Sequence, residues 1–169
     1  RFTTEGDTSE RQAMRDWVQG GGGLVAWSDS AFGGHYGKVG LGNPKGRLSD
    51  NDLMTQFGMF FMRDNGAGNY KIVRYTRPHY LNGYDAQGGV VYRGEGVSPV
   101  RVSEPAEMLA PLQHGGLGGK LRLHKDDRND PAIGPFNPET DAALAIARVG
   151  QGRVVGTFDR NTFWNAGEG

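Results

Sequence analysis

Ser9-Glu-Arg-Gln-Ala-Met-Arg-Asp-Trp-Val-Gln19, Gly20-Gly-Gly-Gly23, Leu24-Val-Ala-Trp-Ser-Asp-Ser30 is the stretch that decides the fold. Glycine ends helices and permits positive φ, so four in a row between two apolar-patterned segments predict a tight helix-to-strand return. Ala13, Met14, Trp17 and Val18 fall at i, i+1, i+4 and i+5, the face of a helix packed on a sheet. Thr8 or Ser9 is the expected cap, with Glu10 well placed in the first turn. Residues 24–27 are short and apolar, and read as a central strand covered on both sides. Such a unit builds an α/β sheet, whose ligands bind just past the C-terminal strand ends. Here that place is Ser28-Asp29-Ser30.

Working outward, residues 31–47 form a long Gly-rich loop carrying Phe32, His35 and Tyr36, and loops of that length are commonly functional. Ser49 and Asp52 resemble a capping box, and Leu53, Met54, Phe57, Phe60 and Phe61 continue it as a second helix or as helix plus strand. Residues 70–75, 89–93, 100–102 and 121–124 read as short strands, and 77–83 as a turn. Asn137-Pro138 has the chemistry of a helix start. Two apolar runs, 143–149 and 153–158, flank Gly150-Gln-Gly152 and favour a C-terminal β-hairpin instead. No repeat and no boundary divides the chain, so residues 1–169 are expected to form one domain.

Composition narrows the function classes. Nineteen basic residues balance nineteen acidic ones, with a pI near 7.1. That leaves no electrostatic footprint for nucleic acid or an anionic membrane, and neither is expected as a partner. No apolar run approaches the ~18 residues of a membrane span. Cysteine is absent, which removes disulfides, thiolate catalysis and Cys-ligated zinc together. Glycine is abundant, at 29 of 169 residues, and interleaved with aromatics, so the expectation is many tight turns and shaped loops. Arginine outnumbers lysine 14 to 5, a tilt toward planar, fixed hydrogen bonding. Arg1-Phe2 is not a native start, which is compatible with a removed leader. An extracellular or periplasmic setting is favoured over a cytoplasmic one.

Three segments resemble the class I glutamine amidotransferase-like superfamily, in its non-glutaminase (ThuA-like) branch. They are Trp17-Val-Gln-Gly-Gly-Gly-Gly23 with Leu24-Val-Ala-Trp27, Arg77-Pro-His-Tyr-Leu-Asn-Gly83, and Val149-Gly-Gln-Gly-Arg-Val-Val155 followed by Asp159. The second is similar to a family His-Pro-x-x-x-Gly segment, with Pro here preceding His79. The resemblance implies a flavodoxin-like three-layer α/β sandwich. In the family two or three strands precede the helix at residue 9, so the expected sheet is incomplete at its N-terminal side, or another chain completes it. The family's nucleophilic Cys follows the strand after the glycines, and in this register Ser28 takes that place. The Gly-x-Ser-x-Gly pattern of a nucleophile elbow is absent.

Two functional readings follow. In the first, the chain is a non-catalytic binding or assembly module of a larger, carbohydrate-active bacterial protein. Its partners would be other domains or chains of that protein and a polysaccharide or small sugar. Asp29, Ser30, Tyr36, Asp159, Arg160 and Asn161 are its candidate ligand-binding residues. The aromatics Trp27, Phe32, Tyr36, Tyr80, Tyr84, Phe163 and Trp164 would stack on sugar rings where they are not core. In the second reading, the chain is a hydrolase or sugar-processing enzyme using Ser28 or Asp29 with His35 or His79 as base. Against it, Ser28, Asp29 and Ser30 equally suit capping or loop hydrogen bonds, and no acid partner is specified. Asp29, His35 and His79 also form a ligand set for zinc, manganese or iron. Asp126, Asp127 and Asp130 gather calcium-type oxygen ligands without EF-hand spacing, and a solvated acidic loop is the plainer reading. No cofactor is expected, with calcium at this acidic loop as the alternative.

Overall fold

The helix before the glycines, α1 (Thr8–Gln19), starts at Thr8 and ends in the four-glycine run. The computed structural model describes residues 8–27, 53–61, 69–72, 74–87, 89–95, 97, 99–112 and 137–163. At the helix end, the Gly21 N–H bonds to the Val18 carbonyl and the Gly22 N–H to the Trp17 carbonyl, both at 3.0 Å. Gly21 has φ 116°. This is the paired bonding of a Schellman stop, with glycine in the left-handed position. A Cβ at Gly22 would lie 2.5 Å from the Trp17 ring, so the indole covers the glycine instead of entering the core. The packed face is therefore narrower than the sequence pattern predicts. Val18 is buried and Met14 partly so, whereas Ala13 and Trp17 are exposed.

Beyond the turn, β1 (Gly23–Trp27) leads to a helical turn at residues 53–57 and then β2 (Met59–Phe61), the helix-plus-strand alternative. Next come β3 (Asn69–Lys71) and β4 (Arg93–Glu95), which pair only with each other. The remaining strands are β5 (Val100–Val102), β6 (Ala106–Pro111), β7 (Asp141–Val149) and β8 (Gly152–Thr157). The main sheet runs β1-β8-β7-β5-β2, with β6 also alongside β7. Only β1 and β8 are parallel; every other described pair is antiparallel. The fold is thus mixed α/β, with one α-helix among the described residues.

The β7–β8 hairpin forms as the glycine turn predicts. Gly150 takes φ 60° in its two-residue loop. That loop sits on the end of α1, where the Gln151 N–H donates to the Gln19 carbonyl at 3.0 Å and the Arg153 N–H to Gly22 at 3.1 Å. The competing helix start at Asn137 is spent on one turn. Asn137 Oδ1 accepts from the Glu139 N–H, its carbonyl accepts from Thr140 and Asp141, and the strand begins there.

Strand β7 is buried on both faces from Asp141 to Ala147, as its near-continuous apolar run requires. One face carries Val18, Met54, Phe57, Met59 and Val154, under α1 and the 53–57 turn. The other carries Ile72, Tyr75, Val97, Leu109, Leu112 and Phe158, with Leu81 and Tyr92 packed against them. The central-strand expectation for residues 24–27 needs correction. Among the described residues β1 is an edge strand, paired with β8 alone. Leu24 and Ala26 pack toward the helix-side core, but Val25 and Trp27 are each about half exposed. The second apolar layer is built over β6, β7 and β8, and does not extend to cover β1.

Candidate functional site

The parallel pairing of β1 with β8 sets Trp27 beside Thr157. The segment after β8 therefore leaves at the same sheet end as Trp27, which is where ligands of parallel strands bind. This segment is Phe158, Asp159 and the 3₁₀ turn Arg160–Phe163, so Asp159, Arg160 and Asn161 stand at the expected end. The Phe163 ring closes over the strand end, 6.4 Å from the Trp27 ring and tilted by 58°. Both rings are about half exposed.

Burial separates the roles on this turn. Asp159 and Phe158 are wholly buried, and Gly94 of β4 lies directly against them. A Cβ on Gly94 would meet Phe158 and come 3.0 Å from Asp159 Cβ, so glycine there makes room for the β8 exit. Asp159 is thus turned into the interior, while Arg160 is exposed at the start of the turn. The hydroxyls of Thr157 and Thr162 are buried and have no hydrogen-bond partner among the described residues.

His79 sits elsewhere. It caps the 3₁₀ turn Tyr80–Asn82: its Nδ1 accepts from the Leu81 N–H at 3.3 Å, while Asn82 Oδ1 accepts from its own N–H at 2.8 Å. Asn82, fully buried, returns a hydrogen bond from Nδ2 to the Arg77 carbonyl at 2.9 Å. Burial lowers the His79 pKa below its ordinary value, and Arg77 adds to this, with Glu107 opposing. The segment is tied to β6 through Thr76 Oγ1, which donates to the Met108 carbonyl at 2.9 Å, and through the Arg77–Glu107 ion pair. In the sheet β6, β7, β8 and β1 follow one another. Three strand spacings put roughly 14 Å between β6 and β1. The described hydrogen bonds of His79 all fall within its own turn, to Leu81, Asn82 and Tyr84.

Ser28, Asp29, Ser30, His35 and Tyr36 lie outside the described residues, as do Asp126, Asp127 and Asp130. Among the described residues no three His, Asp or Glu side chains are grouped to hold a metal ion. No described helix is long and apolar enough to cross a membrane.

What the sequence reading missed is a surface. Val25, Trp27 and Phe163 are exposed apolar groups on or beside the open edge strand, and Trp17 is exposed beside the glycine turn that feeds it. Nothing in Gly-Leu-Val-Ala-Trp marks this, because an apolar run with no charges looks the same whether its outer face is covered or bare.

No protein-family model matches this sequence, and no curated protein matches it. Solved structures do. The mmIFT52 N-terminal domain superposes with a TM-score of 0.54 at 12% identity, over 94% of this chain and 60% of that one. A cold-adapted β-galactosidase from Rahnella sp. R3 gives 0.48 at 16%, over 89% of this chain and 18% of the enzyme. The exo-β-1,4-mannosidase Op5Man5 from Opitutaceae bacterium strain TAV5 gives 0.42 at 14%, over 91% and 19%. The chain therefore spans 60% of the first of these and under a fifth of the two enzymes. At these identities the likeness to the mmIFT52 domain speaks for a shared α/β fold and for nothing further.

Proposed function

We propose that this chain is an amidotransferase-like, flavodoxin-related module without glutaminase chemistry, which binds and assembles with other domains or chains of a larger, carbohydrate-active protein. The observation that carries the reading is the open β1 edge. Among the described residues this five-residue uncharged strand has one unpaired row of backbone groups, with Val25 and Trp27 half exposed on one face. Isolated proteins usually blunt such edges with charge, proline or a bulge. An edge that keeps none of these suits a neighbouring strand supplied from another domain or chain. The succession of helix, glycine stop and β1, with β8 parallel beside it, supports the reading. The position that holds the nucleophile in glutaminases is Ser28 here, and the only described imidazole, His79, is engaged in capping its own turn.

Sedimentation velocity over a range of concentrations tests this, on the chain and on Val25→Lys. The expected result is association that weakens at least tenfold when a charge is placed on the edge. A wild-type chain that stays monomeric, with β1 amides exchanging as fast as those of an unprotected edge when the larger protein is assembled, would sink the proposal.

A further inference from the structure

The β1–β8 and β7–β8 ladders set Gly23, Arg153 and Arg148 side by side in one row across three strands. Residues of one row share a face, and alternation puts Val25 and Trp27 on that same face. Like charges directly opposite one another destabilise a sheet. Both arginines are exposed, and no carboxylate among the described residues bonds either of them. The carboxylate one row along the face, Glu107 opposite Ile146, pairs with Arg77. Arg153 is held by its own turn: Nη1 donates to the Gln151 carbonyl at 2.7 Å and to the Gly152 carbonyl at 2.9 Å. Bonds to neutral carbonyls leave its charge uncompensated, and Nε and Nη2 stay available for a two-point grip on a carboxylate. Beside Arg153, nothing lies within 4 Å of where a Cβ of Gly23 would be.

We propose that the segment completing β1 is an extended acidic strand from another domain or chain. It carries a carboxylate opposite Gly23 and apolar residues two and four positions along, beside Val25 and Trp27. This inference rests on the open edge of the proposed function and names the chemistry that the edge selects. Main-chain bonds along β1 give such a strand its affinity, and alternate side chains give it specificity. A strand added to β1 lies two strand spacings, roughly 10 Å, from β8. A glutamate and Arg153 close that gap most directly across a position with no side chain, and Gly23 is that position. The carboxylate then offsets the repulsion between Arg153 and Arg148. The apolar residues cover the half-exposed Val25 and Trp27. A second copy of β1 fits less well: Gly23–Trp27 carries no acid, so edge-to-edge pairing leaves both arginines uncompensated. A free anion leaves Val25 and Trp27 bare.

The test titrates the full chain with blocked heptapeptides that alternate threonine with one glutamate and two valines, in both sequence orders, and with their glutamine counterparts. Backbone amide shifts and hydrogen exchange follow the binding. A glutamate peptide is expected to protect the amides of residues 23–27 and to bind about fivefold tighter than its glutamine counterpart. Added salt should close that gap. Arg148→Gln removes one of the two like charges, so it should melt at or above the wild-type temperature while the preference for glutamate shrinks. Arg153→Gln should abolish the preference. Equal binding of glutamate and glutamine peptides by wild type would overturn the acidic complement and leave the open edge standing. A monomeric chain whose β1 amides no peptide protects would overturn both. Self-association that buries β1 and excludes the peptides would overturn this proposal alone, by making a second copy the occupant.

Discussion

Arg101 stands directly opposite Asp141 in the β5–β7 ladder and holds its carboxylate with two parallel hydrogen bonds. They run 2.7 Å from Nε to Oδ1 and 2.9 Å from Nη2 to Oδ2. The Asp141 side chain is fully buried and also accepts the Asn137 N–H at 2.7 Å. It therefore joins β5 to the turn that starts β7. Removing one partner of such a pair strands a buried charge, so Arg101→Ala should cost about 3 kcal/mol. Arg101→Lys should recover only part of this, because an ammonium does not reproduce a planar two-point grip. Urea unfolding of the three proteins checks the order. Equal midpoints would show that the pair is a solvated contact.

The glycine run makes a second prediction, because its members are not equivalent. Gly21 carries φ 116°, and Gly22 has the Trp17 ring where a Cβ would go, whereas a Cβ at Gly23 would meet nothing within 4 Å. Gly21→Ala should cost about 1–2 kcal/mol through the left-handed backbone. Gly23→Ala should be neutral or stabilise by about 0.5 kcal/mol, since alanine loses less freedom in a strand. Gly152→Ala belongs with the damaging group, because its Cβ would drive into the Val18 carbonyl. Thermal melts of the single variants give the ranking directly. A Gly23→Ala variant as unstable as Gly21→Ala would show that something unaccounted for packs on β1.

These glycines also explain what was legible in the sequence. The helix stop and the β7–β8 turn are local chemistry, in which a few adjacent residues dictate backbone angles, and both formed where the residues indicate. Strand β6 went unread because Glu107 and Pro111 break its apolar pattern, and its stability comes from β7, more than thirty residues later. The strand expected over residues 70–75 ends at Lys71. From there Ile72 and Tyr75 serve as buried anchors, and backbone bonds go to Tyr92 and Ala86. The position of β1 at an edge was hidden for a related reason: exposure depends on what lies across the layer, and no residue within the run records that. For the candidate site, the sequence names Asp159, Arg160 and Asn161, but their place at the β1 end rests on the parallel β1–β8 pairing. The burial of Asp159 and the self-engagement of His79 are tertiary facts.

His79 should give the protein a mild acid sensitivity. Its pKa is lowered in the fold, so the folded protein binds its proton less readily than the unfolded chain. The stabilisation is complete above the unfolded value of about 6.5. It is lost as pH falls through the lower folded value, where protonation also removes the Nδ1 acceptor used by Leu81. His79→Asn keeps a capping acceptor without titrating. Stability at pH 7 should be close to wild type, and the difference between the two proteins should grow in favour of the variant between pH 6.5 and pH 5. Denaturant midpoints across that range decide it, and two parallel curves would refute the coupling.

Tyr75 should act at the opposite end of the scale. Its hydroxyl donates to the Val90 carbonyl from within the core, and burial, reinforced by Tyr92, pushes its pKa up to about 12. The folded state therefore keeps the phenol neutral while the unfolded chain ionises near 10. Stability contributed by the neutral group is complete below pH 10 and is lost as pH rises toward about 12. Tyr75→Phe deletes the titration and the hydrogen bond together. It should cost about 1 kcal/mol at pH 7 and flatten the alkaline decline. In an ultraviolet titration, a tyrosine ionisation near pH 12 in the folded wild type should vanish in the variant. If the late ionisation persists, it belongs to another ring, and the Tyr75–Val90 bond does not hold the proton in solution.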